Sequence, residues 1–184
     1  LQKGPDSIGT SIAEFGYRNE LDIYAGKLSG ADLIEAALNH NLDNDFDSVL
    51  RFCQGRLKAM VAVYVERFSY QNAKTVLRAI HSGASSELVS GQVLPEENQN
   101  NTYWLDMIRN CSTLGDAVNA MSGTSWGQAL SKLDADATLQ EMEDTLDKTY
   151  YSDALASIGG PDGHPLLLRY IRNEIDHRNI INQF

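Results

Sequence analysis

Apolar residues recur along much of this chain at intervals of three or four positions, which is the spacing of one face of an α-helix. One such stripe in the first half consists of Leu38, Leu42, Phe46, Val49 and Cys53. A helix-start signal precedes it, because Ser29 has an N-cap side chain and Asp32 follows three positions later. The pattern therefore predicts a helix that begins near Ser29.

The next segment predicts a long helix from Leu57 to about Ile80. Its C-terminal break is the pair Ser82-Gly83, since glycine readily adopts the left-handed conformation that ends helices. The β-branched run at 61–65 keeps the helical period of its neighbours, so we assign it to the same helix.

The second half carries equally conventional helix starts. Thr113 with Asp116 is a capping pair for a short helix that ends at Gly123. Thr138 with Glu141 has the spacing of a capping box. Pro165 suits the first turn of a last helix. Strand signals are scarce throughout, and the predicted fold class is all-α.

The second half also repeats the pattern of the first. An apolar residue, a small polar residue, two variable residues and an asparagine occur as Phe68-Ser69-x-x-Asn72 and again, 107 positions later, as Ile175-Asp176-x-x-Asn179. The apolar residues upstream of the two motifs also superpose: Val61, Tyr64 and Phe68 against Leu168, Ile171 and Ile175. Segments starting at Phe15 and Leu38 recur near Thr124 and Leu146. We predict duplicated helical domains with internal pseudo-symmetry, at 1–90 and 91–184, joined by the Pro- and Asn-containing segment 91–101.

Composition narrows the possible partners. The 184 residues are 42% hydrophobic, enough for a core, and no apolar run approaches the length of a membrane span. A formal net charge of −10 disfavours nucleic acid and anionic lipid. The basic residues of the central helices are interpreted as solvated helix surface: Arg51, Arg56, Lys58, Arg67, Lys74 and Arg78. Cys53 and Cys111 have no CxxC spacing and are interpreted as ordinary thiols in a reducing compartment.

Two motifs resemble ligand-binding loops but lack features that such loops require. Asp43, Asp45 and Asp47 imitate the start of a calcium loop, but Ser48 and Gln54 occupy the positions that require Gly and Glu. We interpret the three aspartates as an acidic helix face that meets a basic partner surface. The glycines at 159, 160 and 163 suggest a phosphate-binding loop, but such a loop follows a strand and no strand precedes them. We therefore interpret them as a turn.

The histidines show no metal-ligand spacing. Asp176 and His177 are the one acid–base pair, yet adjacent residues on a helix point about 100° apart. No catalytic, cofactor-binding or metal-binding residue is therefore assigned, and no cofactor is expected.

Three features together resemble a known family. They are the run Ala31–Leu38, the paired motifs ending in Asn72 and Asn179, and Gly123-Thr124-Ser125-Trp126-Gly127. In order and spacing they resemble the C subunit of the archaeal A-type ATP synthase and its relative, the d subunit of the vacuolar-type proton ATPases. One departure is Ser69, which stands where that family usually has Asp and which weakens the polar pairing of the first motif.

The resemblance implies an all-helical, funnel-shaped protein of three similar domains. It implies that such a protein sits on the membrane proteolipid ring, receives the foot of the central shaft, turns with the rotor and catalyses nothing. On this basis the chain is expected to be a fragment, with an N-terminally truncated first repeat, a C-terminally truncated second repeat and no third. Apolar surface that the third repeat would cover is then expected to promote self-association.

The motif residues are assigned a helix-packing role. They are Phe68, Ser69, Asn72, Ile175, Asp176 and Asn179. The two asparagines lie on or beside an apolar stripe, where a buried amide needs hydrogen-bond partners and so fixes one helix against its neighbour. Asp176, three residues before Asn179, is expected to join that network.

The expected function is that of a non-catalytic central-stalk rotor subunit. It would couple the central-shaft subunits to the proteolipid ring for proton or sodium transport, at the cytoplasmic side of the membrane and through protein partners only. The alternatives from other classes are a generic helical scaffold or adaptor and a small helical enzyme centred on Asp176 and His177.

Overall fold

The computed structural model describes residues 4–89, 99–160 and 163–181. All regular structure within these ranges is helical, which confirms the all-α prediction. The elements are α1 (Pro5–Ile12), a π-helical turn (Ala13–Tyr17), α2 (Arg18–Tyr24), α3 (Gly30–Phe52), α4 (Gly55–Ser82), α5 (Ser86–Val89), α6 (Gln99–Asn110), α7 (Leu114–Ala120), α8 (Ser125–Leu130), α9 (Leu139–Ile158) and α10 (Pro165–Ile181). None of these helices is long and apolar enough to cross a membrane.

The predicted helix starts in the second half are confirmed at atomic detail. The Glu141 amide donates to Thr138 Oγ1 at 3.3 Å and the Thr138 amide donates to Glu141 Oε2 at 2.8 Å, which is a complete capping box. At α7 the Asp116 amide donates to Thr113 Oγ1 at 3.1 Å. Thr124, not anticipated from the sequence, caps α8 by accepting from the Gly127 amide at 3.0 Å.

Helix α4 includes the β-branched run at 61–65, as predicted. Glycines with positive φ lie at both ends of it, Gly55 at 55° and Gly83 at 70°. A side chain would strain the backbone there, so these two positions fix where α4 begins and ends.

Contacts within the chain group it into two compact units. One unit contains Leu1–Arg51 and Thr75–Ala117, and the other contains Phe52–Lys74 and Val118–Phe184. The chain passes between the units at three points: 51/52 at the end of α3, 74/75 inside α4 and 117/118 inside α7. The predicted domains at 1–90 and 91–184 therefore stay a prediction that rests on the sequence repeat.

Helix starts in the two halves of the chain can be compared by their spacing. Helices α7, α8, α9 and α10 begin 109, 107, 109 and 110 residues after α1, α2, α3 and α4, respectively. Of the predicted link, residues 91–98 lie outside the described residues, and α6 begins at Gln99. Two residues of the predicted glycine turn, Pro161 and Asp162, also lie outside them.

Helix α3 turns its small residues inward. Ala36 and Ala37 are fully buried, and Ala36 packs in a cluster with Tyr24, Leu28 and Leu33. The Tyr24 hydroxyl also shares a 2.9 Å hydrogen bond with His40 Nδ1. Alanine lets a neighbouring element approach closely. Of the predicted apolar stripe, Cys53 is buried and Phe46 is half-buried. Leu38, Leu42 and Val49 are instead 39%, 38% and 43% exposed.

In the second unit, α8 contacts the residues before it through a glycine. A Cβ atom placed on Gly127 would overlap the carbonyl oxygen of Met121, and Met121 is fully buried. Gly115 in α7 is a contrasting helical glycine, because a Cβ there would meet only Thr113 Oγ1 at an ordinary 3.7 Å.

We expect Gly127→Ala to lower the free energy of unfolding by about 1–3 kcal/mol, since the backbone must shift to admit the methyl group. Gly115→Ala, the matched control, should be neutral or raise stability by up to about 1 kcal/mol through helix propensity. Urea unfolding followed by circular dichroism measures both. Equal effects of the two substitutions would contradict the assigned close approach.

Candidate functional site: a polar network between three helices

A buried lysine in α4 is the centre of the site. Lys74 is only 5% exposed, and its Nζ forms an ion pair with Asp147 Oδ1 of α9. Arg178 of α10 places Nη1 3.3 Å from the same carboxylate oxygen. The Asp147 carboxylate therefore neutralises positive charges from two other helices. All three residues belong to the second unit.

A second ion pair joins α4 to α10. Arg67 Nη2 lies 3.1 Å from Glu174 Oε1, with the two side chains 22% and 15% exposed. Arg67 Nη1 also donates to the Tyr170 hydroxyl at 3.4 Å. The Arg67 guanidinium carbon lies 5.4 Å from the ring centre of Tyr64, a cation–π distance. These contacts hold the guanidinium from several sides.

Tyr151 of α9 connects the two ion pairs. Its hydroxyl donates to Glu174 Oε1 at 2.9 Å, while the Arg178 guanidinium carbon stands 5.5 Å from the centre of its ring. Burial, followed by the hydrogen bond to Glu174, raises the pKa of Tyr151. The result is a continuous polar path across α4, α9 and α10. We call the five residues Arg67, Lys74, Asp147, Glu174 and Arg178 the ion-pair network.

Aromatic rings pack beside the ion-pair network. Tyr70 of α4 is 3% exposed, and its ring centre lies 5.5 Å from those of Trp126 and Tyr150. Its hydroxyl donates to Asp153 Oδ2 at 3.4 Å and shares a 3.3 Å hydrogen bond with Ser125 Oγ. Burial is the main cause that raises the pKa of Tyr70 to about 12 and of Tyr150 to about 12.

This arrangement suits mechanical stiffness. The buried Lys74, the half-buried charges that pair with it or beside it, and the aromatic rings leave each helix few alternative registers, because any slip would separate paired groups. Within the part of the chain that the structure describes, no group of three or more His, Cys, Asp or Glu side chains could hold a metal ion. Asp176 and His177 are both exposed on α10, and they do not form an enclosed acid–base site.

The six predicted motif residues lie near the ion-pair network but outside it. Phe68, Ser69, Asn72 and Ile175 are half-buried, and Asp176 and Asn179 are exposed. Phe68 packs edge-on against Tyr64 with ring centres 6.4 Å apart. The hydrogen-bonding role predicted for the two asparagines stays a prediction.

The prediction of solvated helix surface is wrong for two basic residues. Lys74 and Arg67 were expected on solvated helix surface, but both pair with carboxylates of the second half. The overlooked signal is that Lys74 lies four residues after buried Tyr70 and three before buried Leu77, which places it on the inward face of α4. Arg51, Arg56, Lys58 and Arg78 are exposed, as expected.

Comparison with known proteins shows which family this chain belongs to. The family model described as the ATP synthase (C/AC39) subunit matches residues 1–184. The chain belongs to this family. Members of the family are structural subunits of the ATP synthase complex and are not themselves catalytic.

Curated relatives point to the same family. The C subunit of the A-type ATP synthase of Haloquadratum walsbyi is 33% identical over 98% of this chain and 53% of its own length. The corresponding C subunit of Methanosarcina mazei is 33% identical over 100% of the chain and 51% of its own length. The chain spans about half the length of the curated relatives it matches. No solved structure matches it significantly.

We expect removal of Asp147 to cost more stability than removal of Lys74. Asp147→Ala leaves a buried lysine without its carboxylate and should cost about 3–5 kcal/mol of unfolding free energy. Lys74→Met keeps the side-chain volume and leaves Asp147 paired with Arg178, so its cost should be smaller by about 2 kcal/mol or more.

The matched control is Arg51→Met, which breaks the exposed Arg51–Asp47 pair and should change stability by less than about 0.5 kcal/mol. Chemical unfolding of the three variants at neutral pH measures the order. A Lys74→Met variant as unstable as Asp147→Ala would contradict the assigned role of the carboxylate.

The buried tyrosines should make stability fall at alkaline pH. An unfolded tyrosine loses its proton near pH 10, whereas Tyr70 and Tyr150 in the folded chain keep theirs to about pH 12. Their contribution is thus complete below pH 10 and is lost as pH rises from 10 to 12. Urea unfolding across that range should show a decline that is shallower in the Tyr70→Phe/Tyr150→Phe variant; equal slopes would disprove this origin.

Proposed function

We propose that this chain is part of a non-catalytic central-stalk rotor subunit of an A-type ATP synthase. The observation that carries the proposal is the match of the whole chain to the ATP synthase (C/AC39) subunit family. The relatives, which are C subunits of A-type ATP synthases, support the archaeal form of the complex.

In this role the protein couples the central-shaft subunits to the membrane proteolipid ring and so links ATP turnover to proton or sodium transport. The ion-pair network supports such a role on physical grounds. A coupling element must transmit torque without helix slippage, and the ion pairs between α4, α9 and α10, which are partly buried, resist slippage. The protein is peripheral and cytoplasmic, and it meets the membrane only through protein partners.

The domain organisation belongs to the same proposal. The recurrent helix starts support two pseudo-symmetric repeats, 1–90 and 91–184, within a protein of three such repeats. A protein that rests on a ring and receives a shaft needs contact surfaces at two ends, and similar helical domains around one axis would provide them.

Co-purification tests the proposed role. The natural gene product that carries this sequence, tagged and purified from mildly solubilised native membranes, should recover both the proteolipid ring and the central-shaft subunits. An unrelated tagged helical protein of similar negative charge, expressed in the same cells, is the control for nonspecific capture.

Recovery of a well-folded protein without either partner would contradict the rotor role and favour the scaffold alternative. If the control protein also recovered the proteolipid ring and the central-shaft subunits, the capture would be nonspecific. The expected result is both partners with the tagged protein and neither with the control.

A further inference from the structure

The outward face of α3 is apolar, although it faces solvent. At 100° per residue, Ala31, Leu38, Leu42 and Val49 fall within about 20° of one line along the helix. The exposed fractions of the last three are 39%, 38% and 43%. This line is about 27 Å long, which is the length of about five helical turns. We call these four residues the α3 stripe.

A groove borders the first part of the α3 stripe. It lies between α1 and α3, has a volume of about 370 Å³, and is lined by Pro5, Ile8, Ala31, Ile34, Glu35, Leu38 and Asn39. Ile8 is itself 42% exposed. A groove between two helices with an adjoining apolar stripe is the usual form of a site for a third helix.

Charge on α3 limits what can occupy this groove. The helix contains Asp32, Glu35, Asp43, Asp45 and Asp47 but only one arginine, Arg51. Glu35 lines the groove, and Glu35 and Asp45 lie about 40° to either side of the α3 stripe. An apolar partner would therefore approach between two exposed carboxylates.

These charges argue against two occupants and for one. A second copy using the same face would bring its own Glu35 and Asp45 against these two, and an anionic lipid surface would be repelled in the same way. A helix with one leucine-type face flanked by Lys or Arg would bury the α3 stripe and pair with both carboxylates.

We propose that the groove and the α3 stripe form a docking site for a basic amphipathic helix of a partner protein. Its apolar residues fill the groove beside Ile8, Ile34 and Leu38 and cover Leu42 and Val49. Its cations face Glu35 and Asp45. The proposal concerns one surface of the first unit and does not depend on the rotor role.

A designed peptide probes the site directly. The probe is a fluorescently labelled helix of about 18 residues made of leucine at positions of one face and lysine elsewhere. Comparison peptides have the same leucines with glutamate in place of lysine, or the same composition in scrambled order. Fluorescence anisotropy with the whole 184-residue chain gives the affinities.

Two variants test the two components of recognition. Leu38→Ser/Leu42→Ser removes the apolar contact, and Glu35→Gln/Asp45→Asn removes the charge. Each should weaken binding of the leucine–lysine peptide by about tenfold or more. Their matched controls lie outside the groove: Ile23→Ser/Leu88→Ser changes exposed apolar residues, and Asp134→Asn/Asp136→Asn removes exposed charge.

The control variants should bind within about twofold of the unmodified chain, and the two comparison peptides should bind at least about tenfold more weakly. Circular dichroism must first show unchanged helix content in every variant. Peptide binding that is absent, or that the charge control weakens as much as Glu35→Gln/Asp45→Asn, would overturn the proposal.

Two further results would assign the face to another occupant. Sedimentation equilibrium showing a dimer that Leu38→Ser/Leu42→Ser abolishes would identify a second copy. Binding to phosphatidylglycerol vesicles that the same variant abolishes would identify a lipid surface. Either result would overturn the assignment to a basic helix, and the expected result is neither.

Discussion

The carboxylate of Asp147 is the group on which the second unit most depends. It neutralises Lys74, which is almost fully buried in α4, and also contacts Arg178 of α10. A buried ammonium without a partner costs several kcal/mol, so the position of α4 against α9 follows from this pair. Apolar contacts alone would define that position less sharply, because leucine and methionine cores tolerate small changes of register.

Further polar contacts connect Asp147 to the rest of the second unit. Arg178 reaches Tyr151, Tyr151 donates to Glu174, and Glu174 pairs with Arg67 on the helix where the path began. A change of register at any of these contacts would leave a charged group short of partners. The first unit is built differently, since the fully buried residues of α3 are alanines, while Leu38, Leu42 and Val49 are exposed. Stiffness and surface recognition are thus features of separate parts of the chain.

Local signals predicted the helices and their caps well. Thr138 with Glu141, Thr113 with Asp116 and the end of α4 at Gly83 depend on neighbours within four residues, so the sequence displays them directly. The ion-pair network joins residues far apart in sequence, such as Lys74 and Asp147, and periodicity alone does not pair them. The inward side of α3 was also hidden, because Ala36 and Ala37 attract less attention than the larger Leu38 and Leu42. The family, by contrast, could be predicted from the sequence, because several individually weak motifs occur in a specific order and spacing.

The proposed coupling role rests on a rigid polar network rather than on chemistry. The most direct measurement is the ratio of ions pumped to ATP hydrolysed by the reconstituted synthase in sealed vesicles. The complex would carry the gene product either unmodified, with Asp147→Asn, or with the exposed control Arg51→Met. We predict that Asp147→Asn retains ATP hydrolysis but pumps fewer ions per ATP, while the control pumps normally. An unchanged ratio in a fully assembled Asp147→Asn complex would contradict the central claim.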